Sequence, residues 1–414
     1  MNWKWVITHI LPSTRAFLFF QLFSILAPCL HGQTSGATIV WNPKGLYTIV
    51  SAVPFLRINP DARAAGIGSA GIATDADANA VFTNPAKLAF INTDGGFSGS
   101  FAPWLHALVN GIYLTDLNGY YRIKKKQTIA ISARYFSYGT TAFITGSGLA
   151  YKLFRPEEFA IDAHYARQLG QYFSISGSVS YIYSSLATGA SINGITVKPG
   201  MSGAGDIGWY FHKTYHENED HVLQHTFSCG MTLSDMGNKM SYTSVQVPNY
   251  LPTNLGVGFN YTLDIDRHNS VAAALDLNKL MVPSPFGRWD SVHQVFYYQE
   301  ESAVKGMFTS FGDAPAIQEL RYITESVGME YFYDKLYGFR FGYFYEHPSA
   351  GGRQYFSLGL TARYSVASFH FAYLIPTNPQ NDPLKNTLQF TLVFDFKQKI
   401  KKQNPQKITT LIRA

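Results

Sequence analysis

Beyond residue 30 the sequence has no long apolar run, which excludes helical membrane spans of about 20 consecutive apolar residues. Charge is also scarce: Asp, Glu, Lys and Arg make up 14% of the chain, while 46% is hydrophobic and 15% aromatic. A mean hydropathy of -0.05 sits oddly with so much apolar surface. Alternation resolves this, because a strand that is apolar on every second residue builds a greasy face without a greasy run. There are two cysteines. Cys29 falls in a leader, so Cys229 stands alone and an intrachain disulfide is excluded. No G-x-S-x-G elbow or other nucleophile–base context occurs, so no catalytic residue is assigned.

What is present is one pattern repeated from residue 97 to residue 396. Leu255, Val257, Phe259, Tyr261 and Leu263 alternate with Asn254, Gly256, Gly258, Asn260 and Thr262. Leu388, Phe390, Leu392, Phe394 and Phe396 alternate with Thr387, Gln389, Thr391, Val393 and Asp395. Such stretches run on the order of 10 residues, long enough to cross a bilayer and longer than the usual soluble strand of about 5–6. About fourteen of them can be read, an even number, as a single-chain outer-membrane barrel requires. The expected fold is therefore all-β, a transmembrane antiparallel β-barrel of about 14 strands, with lipid outside and a polar lumen inside.

The connections alternate as well. Short turns fall near 124–126, 169–171, 264–269, 334–336 and 365–367, and long connections span 139–158, 187–201, 236–251 and 281–320. Outer-membrane barrels keep short turns on the periplasmic side, so both barrel ends are expected there. Residues 213–223 are long for such a turn, and the first outer connection, near 107–108, is brief.

Four regions follow. Residues 1–32, with Lys4 and Arg15 ahead of the apolar stretch 16–30 and no acid, read as a secretory signal peptide cleaved near Gly32–Gln33. Its loss lowers the formal net charge of +6 by two, and nucleic acid is not an expected partner. Residues 33–96 form an N-terminal segment whose part from Asp61 to Ile91, rich in Ala, Gly and Asn, is expected to plug the lumen as a hatch. Residues 97–396 are the barrel, and 397–414 a basic tail without acids.

Several motifs have plainer readings. Gly66-Ile67-Gly68-Ser69-Ala70-Gly71 matches G-x-G-x-x-G, but no buried strand precedes it, so glycines that permit tight backbone turns in a plug are preferred to a nucleotide site. His212, His216, Glu217, Glu219, Asp220, His221 and His225 offer metal-type ligands at a spacing that fits no known site, and read as a solvated turn; no metal or cofactor is assigned. Asp162, His164, Glu330, Arg363 and Asp395 fall on the inward face, where polar side chains are the norm. Cys229 alternates with Phe227 and Met231 and is expected to face lipid. The 281–320 connection, about 40 residues long, is too long to be idle, and its aromatics Trp289, Phe296, Tyr297 and Tyr298 are candidate partner contacts.

Other residues carry a resemblance. The stretch from Ala52 to Gly66, then Gly71-Ile72-Ala73-Thr74 and Asn84-Pro85-Ala86-Lys87-Leu88-Ala89-Phe90, resembles the PorV family of type IX secretion system outer-membrane shuttle proteins. The segment from Phe371 to Thr377, with Pro383-Leu384 and Asn386-Thr387-Leu388, is similar to that family's last hairpin. Asn84-Pro85-Ala86 is also similar to the hatch motif of the wider FadL-like barrels, although Phe82-Thr83 stands where an aromatic would adjoin the asparagine. The resemblance implies a non-enzymatic protein. It would take cargo with a C-terminal sorting domain from the large translocon barrel to the PorU sortase, which joins the cargo to lipopolysaccharide, with PorQ and PorZ in the attachment complex. The alternative is a FadL-like outer-membrane channel for hydrophobic small molecules.

Overall fold

The computed structural model describes residues 48–104, 111–144, 150–192, 194–216, 223–244, 248–285, 289–290, 295–296, 300–377 and 387–396. Residues 1–47, the brief connection at 105–110, Glu217, Glu219, Asp220, His221, Tyr297, Tyr298 and residues 397–414 lie outside the described residues.

Fourteen antiparallel strands close on themselves. In chain order they are β1 (Gly95–Pro103), β2 (Ile112–Lys124), β3 (Gln127–Tyr138), β4 (Glu157–Gln168), β5 (Phe173–Ser185), β6 (Gly200–His216) and β7 (Gln224–Gly237). Then come β8 (Asn254–Asp264), β9 (Asn269–Leu280), β10 (Ile323–Tyr333), β11 (Tyr337–Tyr345), β12 (Gln354–Tyr364), β13 (Ala367–Pro376) and β14 (Leu388–Phe396). Each strand pairs with its sequence neighbours, and β1 closes on β14 with Gly95 opposite Phe396, so both barrel ends share one rim.

Alternation assigns the faces as expected. On β14, Gln389, Thr391 and Val393 are buried inside, whereas Leu392 is 49% exposed outside. Leu117, Ile131 and Val179 belong to the same outward apolar band. Tyr121, Tyr333, Tyr337, Tyr364 and Phe396 gather outside near the short-turn rim, where amphipathic rings suit a membrane–water boundary. The turn at Asp334 and Lys335 is tight because both residues take positive φ, 53° and 57°, matching the twist of the flanking strands. No described helix is long and apolar enough to cross a membrane.

The connections are more structured than their sequence indicates. Residues 139–158 contain a hairpin (Thr141–Ile144 with Ala150–Phe154), and 187–201 contain another (Ser191–Ile192 with Ile195–Thr196). The supposed 213–223 turn is partly strand, since β6 runs to His216. His212 meets Ser228 in the lumen, while His225 reaches Tyr261 on the outer face, so these two members of the histidine group point to opposite sides of the wall. Cys229 stands outward in register with Phe211 and Phe259.

Residues 48–94 run through the lumen from rim to rim. At the long-connection rim, Ala52 N–H donates to the Tyr250 carbonyl and Ile49 packs with Tyr250, Leu280 and Tyr322. At the opposite rim, Asp94 N–H donates to Phe396 and Arg122 donates to the carbonyls of Ile91 and Thr93. Between them the segment folds as short helical turns: α1 (Ala62–Ala65) and 3-10 turns at Pro54–Arg57, Ala78–Phe82 and Pro85–Phe90. Its buried apolar side chains pack on the wall, for example Leu88 and Val81 near Ala130 and Ala166, and Phe55 near Phe136.

Candidate functional site

The inner segment is fastened to the wall by buried polar contacts, as expected where buried donors and acceptors need partners. Asp61 starts α1 by accepting from the N–H groups of Arg63 and Ala64. This aims the Arg63 side chain at β10, where its Nε and Nη2 donate to the two oxygens of Glu330 at 3.2 and 3.0 Å. Nη1 reaches back to Asp77 at 2.8 Å. Arg340 of β11 donates to the same Glu330 and to Thr361. A carboxylate from the wall is thus shared by an arginine of the wall and an arginine of the inner segment.

Burial works against the charge on Arg63, but the carboxylates of Glu330 and Asp77 outweigh it and raise its pKa further. Burial also works against the Asp77 carboxylate, and Arg63 reverses that effect, lowering its pKa. Asp61, buried and facing Asp77, is pushed up to about 6. Lys87 is pulled down to about 8 by burial, and its Nζ donates to the Gly71 carbonyl at 2.5 Å and to Thr74 Oγ1.

A second fastening uses backbone. The N–H groups of Gly71 and Ile72 both donate to Asp276 of β9, at 2.6 and 2.9 Å. Gly68 has φ +70°, a conformation natural to glycine, and its N–H donates to Ser357 of β12. The wall opposite is also glycine: a Cβ on Gly342 would collide with the backbone of Ile67 and Gly68. The G-x-G-x-x-G pattern is therefore a place where two backbones touch.

The Asn84-Pro85-Ala86 motif is the third. Asn84 is fully buried, and its side-chain oxygen accepts from Ala86 N–H, starting the 3-10 turn at Pro85. Its Nδ2 donates to the carbonyls of Ile72 and, in the wall, Trp209 at 3.1 and 3.0 Å. Ser174 of β5 donates to the Ala86 carbonyl at 2.7 Å. Asn84→Ala removes a cap and two donations to buried carbonyls and is expected to cost about 1–3 kcal/mol. The check is a lowered thermal midpoint of the purified protein in detergent, with Asn84→Asp restoring the cap but not the donations. The unusual Thr83 packs its methyl over Gly71, while Phe82 lies under Arg134, 5.5 Å from its ring centre.

These fastenings leave separate chambers. Toward the long connections is a cavity of about 190 Å³, lined by Arg57, Trp104, Arg134, Asp162 and Tyr355 among others. Toward the short turns is a vestibule of about 770 Å³ with Asp75, His212, Lys335, Arg363, His370 and Asp395 on its walls. The inward residues expected from sequence are all found facing the lumen, and Glu330 proves to be the partner of the inner segment. Sequence reasoning missed Arg63, Arg340 and Asp276. Their only signal was a charge on an otherwise small-residue face.

The outer candidates are partly placed. Trp289 and Phe296 are direct partners in a two-residue ladder, and among the described residues this connection also carries α2 (Ala303–Thr309) and α3 (Ala316–Arg321). No group of metal-ligating side chains large enough to hold an ion occurs among the described residues.

Among solved structures, the toluene transporter TbuX of Ralstonia pickettii is similar at 13% identity and TM-score 0.46, over 83% of this chain and 98% of that one. A FadL homologue of Pseudomonas aeruginosa is similar at 10% identity and TM-score 0.41, over 84% and 99%. No curated protein matches the sequence. The family model described as "Type IX secretion system protein PorV" matches residues 43–287, more than half of the chain. An outer-membrane β-barrel with this match belongs to the PorV family of the type IX secretion system.

Proposed function

We propose that the protein is a non-enzymatic carrier of the outer membrane. It receives cargo through a C-terminal sorting domain at the translocon barrel and delivers it to the PorU sortase, alongside PorQ and PorZ. The observation that carries this reading is the inner segment fastened across the lumen by Arg63, Asp276 and Asn84, which supports a hatch that keeps the wall from working as an open pore. The barrel then serves as a diffusing support in the bilayer, and the surfaces available to partners are its connections.

In this reading the short turns and both barrel ends face the periplasm and the long connections face outward. Residues 1–32 are the removed leader, 33–96 contain the hatch, and 397–414 trail into the periplasm. Trp289, Phe296, Tyr297 and Tyr298 are the proposed partner contacts, since aromatics dominate interface hot spots. The test is affinity isolation of the tagged protein from membranes in mild detergent. Co-recovery of sorting-domain cargo, the sortase or the translocon is expected; recovery of none while other outer-membrane complexes survive overturns the proposal. A deletion strain that secretes normally but loses uptake of a hydrophobic probe transfers the assignment to a small-molecule channel.

A further inference from the structure

Lys279 marks the outer rim of the wall on its lipid side. It stands in register with Leu255 and Ile323, on the face that carries Val257, Phe259 and Leu275, while its neighbours Asn278 and Leu280 point inward. A lysine in that place would ordinarily be open to solvent, yet only 11% of its side chain is exposed. The connection covers it. Glu319 of α3 accepts from Nζ at 2.8 Å, and the rings of Phe311 and Tyr322 lie 5.5 and 5.6 Å from it. The stretch from Phe311 to Tyr322 therefore folds over the rim at Lys279, with Tyr322 reaching the inner cluster of Ile49 and Leu280.

Its inward side is hydrogen-bonded to the rest of the rim. Gln318 bonds Ser349, Glu319 accepts from Ala314 N–H, and Asp313 accepts from Ser284 N–H. Its other side is apolar and open: Val304 (65%) and Phe308 (71%) one turn apart on α2, then Phe311 (40%), and Ile317 (59%) and Leu320 (61%) on α3. Spacings of three and four residues put each helical pair on one face. A cluster of this kind is a contact surface.

We propose that its occupant is the lipid leaflet on the long-connection side. The helices α2 and α3 would lie along the bilayer with these five side chains in the boundary between headgroups and acyl chains. Continuity argues for lipid: the patch hangs from Lys279 directly above the lipid-facing column of β9 and β10, whose Leu275, Val327 and Met329 are already exposed to the same phase. Exposed Lys305, paired with Glu301, and exposed Arg321 adjoin the apolar residues in sequence, as cations do on helices that rest in a membrane surface. The surface would hold the connection at a fixed height and tilt at one side of the mouth.

The test uses the mature full-length chain with Cys229→Ser and one new cysteine at a time, Phe308→Cys, Ile317→Cys or Leu320→Cys, each carrying an environment-sensitive fluorophore. The variants are reconstituted into phosphatidylcholine bilayers with or without brominated acyl chains. Leu117→Cys on the outward band is the positive control and Val50→Cys the exposed reference. Quenching of about twofold at the three patch positions, with none at Val50, is expected for side chains at the acyl boundary. Water-like emission at the patch, unquenched by bromolipid, overturns the proposal, as does shielding that appears only when a membrane extract is added. Absence of quenching at Leu117 would instead contradict the barrel reading on which the proposal rests.

Discussion

Arg63→Ala is expected to free the hatch while leaving the cylinder intact. The substitution withdraws one of the two guanidinium groups holding Glu330 and the one holding half-buried Asp77, leaving Asp77 without its ion-pair partner. Breaking a buried pair in this way costs about 3–5 kcal/mol, enough to outweigh much of the segment's packing. Glu330 keeps Arg340, so the strands around it should remain paired. The prediction separates two measurements. The heat-modified mobility that reports the closed barrel should be unchanged, whereas trypsin should now cut after Lys87, which is 2% exposed in the native protein. Conductance across planar bilayers should rise in parallel. A variant as protease-resistant and as silent as the parent would show that the ion pairs are not what fastens the segment.

Gly342→Leu should reach the same state by a different route. No charge is lost, but the new side chain would occupy the place of the Ile67–Gly68 backbone. That backbone cannot retreat without giving up the Gly68 bond to Ser357 and the pair of bonds from Gly71 and Ile72 to Asp276. Overpacking usually costs about 1–3 kcal/mol, and here, where main chain rather than a side chain must yield, a loss beyond about 3 kcal/mol is expected. Gly119→Ala is the control, because its nearest atom would be an ordinary 3.6 Å away. A melting curve for Gly342→Leu that overlays the control would remove close backbone approach from the account.

The wall was largely legible in the residues. Leu388, Phe390 and Leu392 alternate with Gln389 and Thr391 because lipid and lumen impose opposite demands every 3.4 Å or so along a strand. Turn lengths then fixed which rims the connections occupy. The fastening was not legible, because Arg63 and Glu330 are 267 residues apart and nothing local to either announces the other. Gly328, Gly342 and Gly359 carry no signal of their own in the sequence, since close approach is a property of the pair and not of one strand. Asn84-Pro85-Ala86 was visible through resemblance, and its reason, a cap that also reaches wall carbonyls, needed coordinates. The short helices α2 and α3 escaped notice because six or seven residues carry too little periodicity and rely on tertiary contacts such as Lys279 with Glu319.

The closing ladder between β1 and β14 has a kinetic meaning. Ser100 and Thr391 touch across it although 291 residues separate them, and Thr391 also receives the Ala62 N–H from within. Contacts so distant in sequence form late, because the entropy of joining remote ends must be met before they give anything back. One hydroxyl thus couples the seam to its contents, since Thr391 donates to Ser100 across the closing staves and accepts from Ala62 within.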